Sequence, residues 1–348
     1  MTKSPTIATV CSHSSLQIFY GAKKEGLRTL GICLKEVPKF YDAFPLAKPD
    51  EFIVLDSYLD LLKPEIEEEL IQKNAVIIPH GSFVEYMGAK NFQKLKVPVY
   101  GNKKVLDWES DREIERSWLE GARILMPKEI KEPKEITGPV IVKYHGAKGG
   151  RGFFIAKSKA DFDKNVDRTE KFTIQEFIPG TRFYFHFFFS PLMSKEEGYA
   201  LPSRKGCLQL LGMDRRVESD IDEISKLGSP KELAEAGITP GFTVTGNVEL
   251  VLRESLLPKV LDMGARAVDK SFELFGGLWG PFCLECIIDK DLNIYAFEIS
   301  ARIVAGTNVS IPSSPYSELI EPNLTTGGRI AQEVKRAFKE KRTGEVLT

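Results

Sequence analysis

The sequence predicts a mixed α/β (α+β) protein with a doubly wound parallel sheet near its N-terminus. The first hundred residues alternate between strand-type and helix-type segments, which is typical of strand-helix-strand units. The β-branched run at Val140–Lys143 leads into a glycine-rich loop and a second strand-type run, with no helix after the loop. Two apolar runs, 282–288 and 293–298, flank a short polar turn, which indicates an antiparallel hairpin.

The N-terminal sheet is predicted from four strand-type runs, Thr6–Val10, Leu30–Leu34, Glu51–Leu55 and Ala75–Pro79. Helices are predicted at Ser15–Lys24, with Ser14 as its N-cap, and at Pro64–Lys73. His13 follows the first strand and Ser82 follows the last. Ligands bind at the carboxyl ends of strands in such sheets, so both side chains could face one pocket. The alternative for His13 is a helix cap or a packed polar group.

The loop after Lys143 combines glycines with cations: Gly146, Lys148, Gly149, Gly150, Arg151 and Gly152. Glycine lets a backbone bend tightly and brings N–H groups close to an oxyanion. Neither the spacing of a P-loop nor that of a dinucleotide fingerprint is present. The loop therefore indicates a β-hairpin lid over the phosphates of a nucleotide triphosphate, and the alternative is an ordinary glycine-rich turn.

Three segments between residues 108 and 218 contribute further expectations. A helix is predicted over Trp108–Gly121. The strand-type run Phe172–Phe177 ends at Pro179 and Gly180, which suits a hinge that reads an adenine edge but equally suits a turn. Aromatic residues dominate 182–191 and are expected to pack in the core, because basic residues do not alternate with them as they would in a nucleic-acid surface.

The predicted hairpin near residue 290 carries two acidic residues. If Lys290 pairs with Asn293 across the turn, Glu285 lies directly opposite Glu298 on one face of the sheet. Facing carboxylates repel, and a divalent cation that bridges phosphate oxygens is a common reason for such a pair. Hard oxygen ligands favour magnesium over zinc. The alternative is a register shifted by one residue, in which the two side chains diverge.

Composition narrows the class of protein. The 348 residues carry a net charge of −1, so electrostatics gives no indication of a nucleic-acid or membrane partner. No apolar stretch reaches the roughly 20 residues that a membrane span needs, and no signal-peptide segment is recognisable, so a cytoplasmic location is expected. Five cysteines are too few for a disulfide framework, and Cys283 and Cys286 are expected to be buried on opposite faces of a strand.

Several segments together resemble the ATP-grasp superfamily in order and spacing: Lys143, the glycine loop 146–152, the segment 175–180, and the carboxylates of Glu285 and Glu298. A closer resemblance extends over nearly the whole chain. Ser12–Leu16, His80–Phe83, Thr245–Asn247, Arg253–Pro258 and Gly280–Cys283 look like the archaeal formate-dependent 5-formaminoimidazole-4-carboxamide ribonucleotide (FAICAR) synthetases, which are phosphoribosylaminoimidazole carboxamide formate ligases.

This resemblance implies an ATP-grasp fold with an N-terminal Rossmann-like domain, and an ATP- and formate-dependent ligase that formylates 5-aminoimidazole-4-carboxamide ribonucleotide (AICAR). It implies AICAR contacts at His13, Ser82 and Asn247, and metal ligands at Glu285 and Glu298 for Mg²⁺ or, alternatively, Mn²⁺. Lys143 and Arg151 are implied as catalytic. The implied ATP contacts are Lys143, Gly146, Lys148, Gly149, Gly150, Arg151, Gly152, Gln175, Glu176, Phe177, Ile178 and Glu218. Two positions depart from the wider superfamily: Arg182 replaces an acid that often follows the hinge, and Ser300 replaces an Asn.

The expected organisation is an N-terminal domain over residues 1–118 and an ATP-grasp domain over 119–348, divided into 119–190 with the lid and 191–348 with the metal site. A homo-oligomer is expected, with ATP, formate and AICAR as small-molecule partners and with neither nucleic acid nor membrane. Two alternatives stay open, a different ATP-grasp carboxylate–amine ligase and a non-catalytic paralogue that binds AICAR and ATP.

Overall fold

The computed structural model describes residues 4–144, 153–218, 243–304 and 314–348. Within these ranges the strands form three sheets, one parallel and two antiparallel. None of the helices in the described ranges is long and apolar enough to cross a membrane. Short 3₁₀ helices lie at Lys39–Ala43, Tyr58–Leu62, Pro133–Glu135, Glu254–Leu256 and Thr343–Glu345.

The first sheet is the predicted parallel sheet. Its strands are β1 (Thr6–Val10), β2 (Arg28–Leu34), β3 (Glu51–Leu55) and β4 (Ala75–Ile77), in the order β3-β2-β1-β4. The helices of this region are α1 (Ser15–Lys24), α2 (Pro64–Gln72), α3 (Gly81–Met87), α4 (Ala89–Phe92), α5 (Val105–Ser110) and α6 (Arg112–Gly121). Because β2 and β4 lie on either side of β1, the segments after β1 and β4 meet at one edge of the sheet.

The helix predicted over Trp108–Gly121 is wrong in one respect, because the structure has two helices there. Asp111 separates them with an extended backbone, φ −108° and ψ 112°. Its carboxylate accepts the N–H groups of Glu113 at 3.0 Å and Ile114 at 3.1 Å, which caps α6. The break places Glu109 on α5 and Glu115 on α6, so that each reaches a different point of the third sheet.

The second sheet is small and antiparallel. It contains β5 (Glu129–Ile130), β6 (Val140–Tyr144), β7 (Phe153–Ala156) and β8 (Phe172–Glu176) in the order β5-β8-β6-β7, and α7 (Lys159–Asn165) covers it. A separate core of Val140, Val142, Phe162 and Ile174 holds these elements together. The antiparallel pairing of β6 with β7 confirms the predicted strand, loop, strand order; the loop itself, 145–152, lies outside the described residues.

The third sheet is the largest. Its strands are β9 (Thr181–Ser190), β10 (Tyr199–Ala200), β11 (Cys207–Glu218), β12 (Val244–Glu249), β13 (Gly280–Ile288) and β14 (Ile294–Ser300). The order is β10-β11-β9-β13-β14, and β12 pairs with β11. Phe185, Phe187 and Phe189 of β9 are buried in the main core and Phe188 in a second one, so the predicted core role of this aromatic strand is confirmed. Cys283 and Cys286 are both buried and unbridged, as expected.

The C-terminal part of the chain returns to the N-terminal sheet. The long helix α8 (Leu257–Phe275) packs on the third sheet, and α9 (Pro315–Glu318) and α10 (Thr326–Glu340) follow. Gly21 of α1 contacts the backbone at Gly327 of α10 so closely that a Cβ at either position would overlap the other helix. Leu347 bridges Tyr100 in antiparallel fashion. These contacts join the chain ends to the sheet whose edge carries His13.

Candidate active site

Glu285 and Glu298 lie directly opposite each other on β13 and β14, as predicted. The turn register used to predict this pair is wrong by one residue, because Ile288 faces Ile294 and Asp289 N–H donates to Asn293 O at 3.1 Å. Unchanged, that register would place Glu285 opposite Phe297. The register shifts between Glu285 and Cys286, with Phe297 as the extra residue, and this β-bulge restores the pairing of the two carboxylates.

The carboxylate pair is electrostatically strained. Glu285 is 1% exposed, and burial, followed by repulsion from Glu298, raises the pKa of Glu285 to about 8. Arg216 offsets part of this cost, since its Nη2 lies 2.6 Å from Glu285 Oε1. The guanidinium also stacks on the ring of Tyr184, 4.5 Å from the ring centroid. A bound cation would remove the remaining repulsion between the two carboxyl groups, which favours its entry.

Two further buried carboxylates, which the sequence analysis did not identify, lie along the free edge of β14. Glu115 accepts the N–H of Ile299 at 2.5 Å, and Glu109 accepts the N–H of Ala301 at 2.6 Å. They satisfy backbone donors that an edge strand would otherwise leave unpaired. Burial, as the largest cause, raises the pKa of both carboxyl groups, and the charge of Glu298 raises them further. Their carboxyl groups are thus coupled to the charge of Glu298.

The carboxylates form one wall of a cleft of about 1530 Å³ between the second and third sheets. This volume exceeds the roughly 300–1,000 Å³ of a typical single-ligand pocket, so the cleft has room for more than one substrate. Five of the predicted site residues line it: Lys143, Gln175, Glu218, Glu285 and Glu298. Desolvation lowers the pKa of Lys143, while the charge of Glu298 acts in the opposite direction. The lid residues 146–152, which include Gly146, Lys148, Gly149, Gly150, Arg151 and Gly152, lie outside the described residues.

The donor set fits a magnesium ion that shares its ligands with a substrate. In the part of the chain that the structure describes, no group of three or more His, Cys, Asp or Glu side chains is arranged to hold a metal alone. Mg²⁺ usually takes one or two carboxylates and completes its shell with water and phosphate oxygens. Glu285 and Glu298 supply two hard oxygen donors. Ser300, in place of an amide, lies 3.5 Å from Glu285 Oε1 through its hydroxyl.

The predicted hinge is only partly directed at the cleft. Gln175 lines it, whereas Glu176, Phe177 and Ile178 do not. The N–H groups of Glu176 and Phe177 donate to the carbonyls of residues 128 and 139, at 2.8 and 3.1 Å. Gly180 lies against the carbonyl of residue 288, where a Cβ would overlap it, so a packing requirement accounts for this glycine. The adenine-reading role of the segment stays a prediction.

Glu218 and Arg182 lie together at one end of the cleft. Arg182 Nη1 donates to Glu218 Oε1 at 2.8 Å, and both side chains line the cavity. Arg182 stands where the wider superfamily often has an acid, and Glu218 brings a carboxylate to the same place from β11. The structure therefore supplies a carboxylate at this position from a different strand.

The segments after β1 and β4 meet as predicted. Ser82 Oγ donates to Ser12 Oγ at 2.9 Å, and the rings of His13 and His80 lie 4.8 Å apart. Ser14 is the N-cap residue of α1, as predicted, but its side chain does not cap the helix, because its hydroxyl donates to the carbonyl of Val304 at 3.1 Å. His13 and Ser82 do not line the large cleft themselves, although Gly81 beside them does.

Arg302 connects this edge to the acidic wall. A Cβ at Gly81 would lie 3.1 Å from His13 Nε2 and 3.3 Å from Arg302 Nη2, so only glycine leaves the space between these two groups open. Arg302 Nε lies 3.1 Å from Glu109 Oε1. Desolvation lowers the pKa of His13 to about 4, with a smaller contribution from the Arg302 charge, so the imidazole is neutral at pH 7 although the residue as a whole is exposed.

Asn247 lies on β12 opposite Arg216, and it does not line the large cleft. Its Nδ2 donates to the buried carboxylate of Asp214. The sequence analysis assigned no role to Arg216, Glu109, Glu115 or Asp214, and it named His80 only as part of a motif. A hydrophobic pattern does not distinguish a buried carboxylate on a charged helix from a solvated one, so no local signal could have identified Glu109 or Glu115.

The comparisons with known proteins show the family and the fold. Residues 7–130 match a family model described as a protein of unknown function, DUF1246, and residues 157–348 match a domain of unknown function, DUF1297. The 5-formaminoimidazole-4-carboxamide-1-(β)-D-ribofuranosyl 5′-monophosphate synthetase of Methanococcoides burtonii is 61% identical over 342 residues, which cover 98% of this chain and 94% of that protein.

Comparison with solved structures identifies a protein of purine biosynthesis and a second protein with the same fold. The crystal structure of an IMP biosynthesis protein PurP from Thermococcus kodakaraensis has a TM-score of 0.74 and 32% identity, and the match covers 98% of this chain and all of that one. The ADP complex of N5-carboxyaminoimidazole ribonucleotide synthetase matches with a TM-score of 0.65 over 97% of this chain and 79% of its own, at 14% identity, which is a likeness of fold alone.

Together the fold and the cleft define an ATP-grasp enzyme of the ligase class. The chain belongs to the family of 5-formaminoimidazole-4-carboxamide ribonucleotide synthetases. The resemblance drawn from its motifs is therefore confirmed.

Proposed function

We propose that this protein formylates AICAR with formate and ATP to give FAICAR, ADP and phosphate, a step of de novo IMP biosynthesis. Family membership supports the choice of substrates. The single observation that carries the chemistry is the facing pair of buried Glu285 and exposed Glu298, both of which line the cleft that Lys143 also lines. Such a wall suits a nucleotide that arrives with a divalent cation.

Formate needs activation because a carboxylate is a poor electrophile at neutral pH. In the proposed reaction a formate oxygen attacks the γ-phosphorus of ATP, the bond to the bridging oxygen breaks, and ADP leaves. The amine of AICAR then attacks the carbon of formyl phosphate, phosphate leaves with the formate oxygen, and the nitrogen loses a proton. The other formate oxygen stays in the formamide of the product.

The residues of the chain act mainly by holding and screening the reactants. Lys143 places a positive charge at the phosphate side of the cleft, and the glycine loop 146–152 is proposed to cover the phosphates and exclude water from the acyl phosphate. A magnesium or manganese ion on Glu285 and Glu298 would neutralise phosphate charge. Glu218 and Gln175, which both line the cleft, are proposed as nucleotide contacts.

AICAR is proposed to bind beside the edge of the parallel sheet. His13 and Ser82 lie together there, and Asn247 is the third residue assigned by family resemblance. Arg302, held by Glu109, offers a guanidinium that suits the carboxylate of formate or a phosphate of a substrate. The domain division at residue 118, the homo-oligomer and the cytoplasmic location stay predictions from the sequence.

An omission experiment tests the proposal. The protein is incubated with ATP, Mg²⁺, formate and AICAR, and each component is left out in turn while ADP and FAICAR are measured. The proposal requires both products only in the complete mixture. ADP release at the same rate with another carboxylate or another amine would favour a different ligase, and tight binding of ATP and AICAR without any turnover would favour a non-catalytic paralogue.

A further inference from the structure

A hydrogen-bonded trio, two of whose members are buried and the third half-buried, lies on three neighbouring strands of the third sheet. His186 Nε2 lies 2.8 Å from Asp214 Oδ1, and Asn247 Nδ2 donates to Asp214 Oδ2. Asp214 is 2% exposed and His186 is 5% exposed. The trio is built from β9, β11 and β12, so a rigid sheet fixes the position of each member.

The chemistry of these groups determines the orientation of the Asn247 amide. An ionised carboxylate can only accept hydrogen bonds, so the group that faces Asp214 must be the NH₂ of the amide and not its oxygen. His186 occupies the other carboxylate oxygen with its ring N–H, so Asp214 cannot turn away from Asn247 without losing that bond. The amide oxygen of Asn247 is therefore held on the side away from Asp214, as an acceptor.

Asp214 is retained at an energetic cost. A buried carboxylate is expensive unless a cation or several donors compensate it. Arg216, two residues along β11, forms its ion pair with Glu285 at 2.6 Å. Directly opposite Asp214, β12 carries Glu249, whose pKa is raised by burial and then by the charge of Asp214. A carboxylate placed beside another one, with a histidine and an amide as its hydrogen-bond donors, is better explained by a positioning role than by stability.

We infer that Asp214, itself held by His186, is a positioning residue that presents the amide oxygen of Asn247 to an N–H donor of the ribonucleotide substrate. The inference rests on the proposed function, in which Asn247 contacts AICAR. AICAR carries N–H donors on its exocyclic amine and on its carboxamide. A fixed acceptor selects for such a donor, and a ribonucleotide with an acceptor at the same place would be rejected.

The first test replaces the acceptor-only carboxylate by an amide of the same shape, Asp214→Asn. The new side chain can present either nitrogen or oxygen to Asn247, so the amide of Asn247 is no longer held in one orientation. We expect the KM for AICAR to rise about 10-fold, or about 1.4 kcal/mol, with the KM for ATP unchanged. Asp262→Asn, which removes an exposed carboxylate paired with Arg266, is the matched control and should leave both constants unchanged.

The second test exchanges the amide and the carboxylate between positions 214 and 247, so that an acceptor again faces the substrate. In the double variant Asp214→Asn with Asn247→Asp, the amide at 214 donates to the carboxylate at 247 and still accepts from His186, while the second carboxylate oxygen at 247 faces the substrate as an acceptor. We expect the KM for AICAR to return to within about 3-fold of the wild-type value, a difference of less than 1 kcal/mol. Asn247→Asp alone places two carboxylates together, so its KM for AICAR should be higher than that of Asp214→Asn or of the double variant.

The outcomes separate this inference from the proposed function. A wild-type KM for AICAR in Asp214→Asn, in a protein that turns AICAR over normally, overturns the inference alone. An equal rise of both KM values that the double variant fails to reverse means that Asp214 only supports the fold, which also overturns it. A wild-type protein that makes no FAICAR overturns the proposed function, and the inference falls with it.

Discussion

The two walls of the proposed active site solve opposite electrostatic problems. On the third sheet, the side chains of buried Glu285 and exposed Glu298 face one another, and burial followed by repulsion raises the pKa of Glu285 to about 8. At the edge of the parallel sheet, His13 and His80 lie near Arg302, and burial lowers the pKa of His13 to about 4 and that of His80 to about 3. We call the first the acidic wall, because its carboxyl groups lose their protons most easily when a cation arrives, and the second the neutral wall, because its imidazoles carry no charge at pH 7.

This difference shows what each wall requires from a ligand. The acidic wall is incomplete without added positive charge, which a nucleotide with its cation brings. The neutral wall is already satisfied internally, since His80 Nε2 lies 3.1 Å from the carbonyl of Val10 and its Nδ1 accepts from the N–H of Ser82. A ligand there gains from shape and a few hydrogen bonds. Substitutions should therefore affect catalysis most on the first wall and AICAR affinity most on the second.

Glu298→Gln should have the largest effect. It removes one charge of the pair but keeps the size of the side chain, so we expect turnover to fall by about 100-fold or more. Loss of repulsion with Glu285 should leave the melting temperature unchanged or raise it. Steady-state ADP release and thermal unfolding measure the two effects. Glu273→Gln, on an exposed helix position paired with Lys270, is the control. Ample activity of the first variant with Mg²⁺ would refute the metal assignment.

Arg151→Ala tests the lid, which the sequence predicts to act on phosphates. We expect single-turnover phosphoryl transfer to slow by about 10- to 100-fold because one cation near the transferred group is lost. The sequence predicts that Arg151 lies in a surface loop, where a side chain contributes little to the fold, so the melting temperature should shift by less than about 1 °C. A large loss of stability would show that Arg151 supports the fold. The proposed role of the lid in phosphoryl transfer would then lose its support.

His13→Ala should affect the neutral wall alone. We expect AICAR binding to weaken by about 1 to 3 kcal/mol, the range for a lost hydrogen bond to a charged or buried group. ATP affinity, measured by calorimetry without AICAR, should not change. If both ligands weaken equally, the substitution perturbs the fold. If neither weakens, His13 has no role in binding, and the location of the AICAR pocket must be reconsidered.

The smallest effect is expected for His80→Asn, which removes a buried titrating ring and keeps a side-chain acceptor before α3. The pKa of His80 is lowered to about 3 by burial, then by His13, so the unfolded chain takes up this proton first as the pH falls. Stability from the neutral ring is present above the unfolded pKa of about 6.5 and decreases below it, by about 1.4 kcal/mol at one pH unit lower. Urea unfolding at pH 7.5 and 5.5 should show a smaller difference in the variant, and an identical difference would refute the assignment.

Hydrophobic periodicity, together with the glycines and prolines that end helices and strands, was sufficient to predict most of the fold. The parallel sheet, the strand and lid order, and the aromatic strand all follow from local patterns that no tertiary contact overrides. Helix α6 is an exception, because Asp111 caps a new helix inside a continuous helical pattern. Helix propensity does not distinguish an aspartate inside a helix from one that caps the start of a new helix. The path of the backbone in the folded protein decides between them.

The acidic wall was predictable in part because like charges at opposed positions are informative in themselves. Even so, Glu285 faces Glu298 only through a bulge at Phe297, which local sequence does not reveal. Glu109, Glu115 and Asp214 were not predictable, since their roles depend on strands far away in sequence. The same holds for the neutral wall, where Arg302 reaches His13 from nearly three hundred residues along the chain.

The central claim is that formate is activated by phosphoryl transfer beside the carboxylate pair, and the fate of its oxygens tests this claim most directly. The protein is supplied with ATP, Mg²⁺, AICAR and formate labelled with ¹⁸O at both oxygens, and the inorganic phosphate and FAICAR are analysed by mass spectrometry. The account predicts that each turnover transfers one labelled oxygen to phosphate and leaves the other in the formyl group. Unlabelled phosphate together with labelled FAICAR would contradict it, because formate would then have reacted without becoming formyl phosphate.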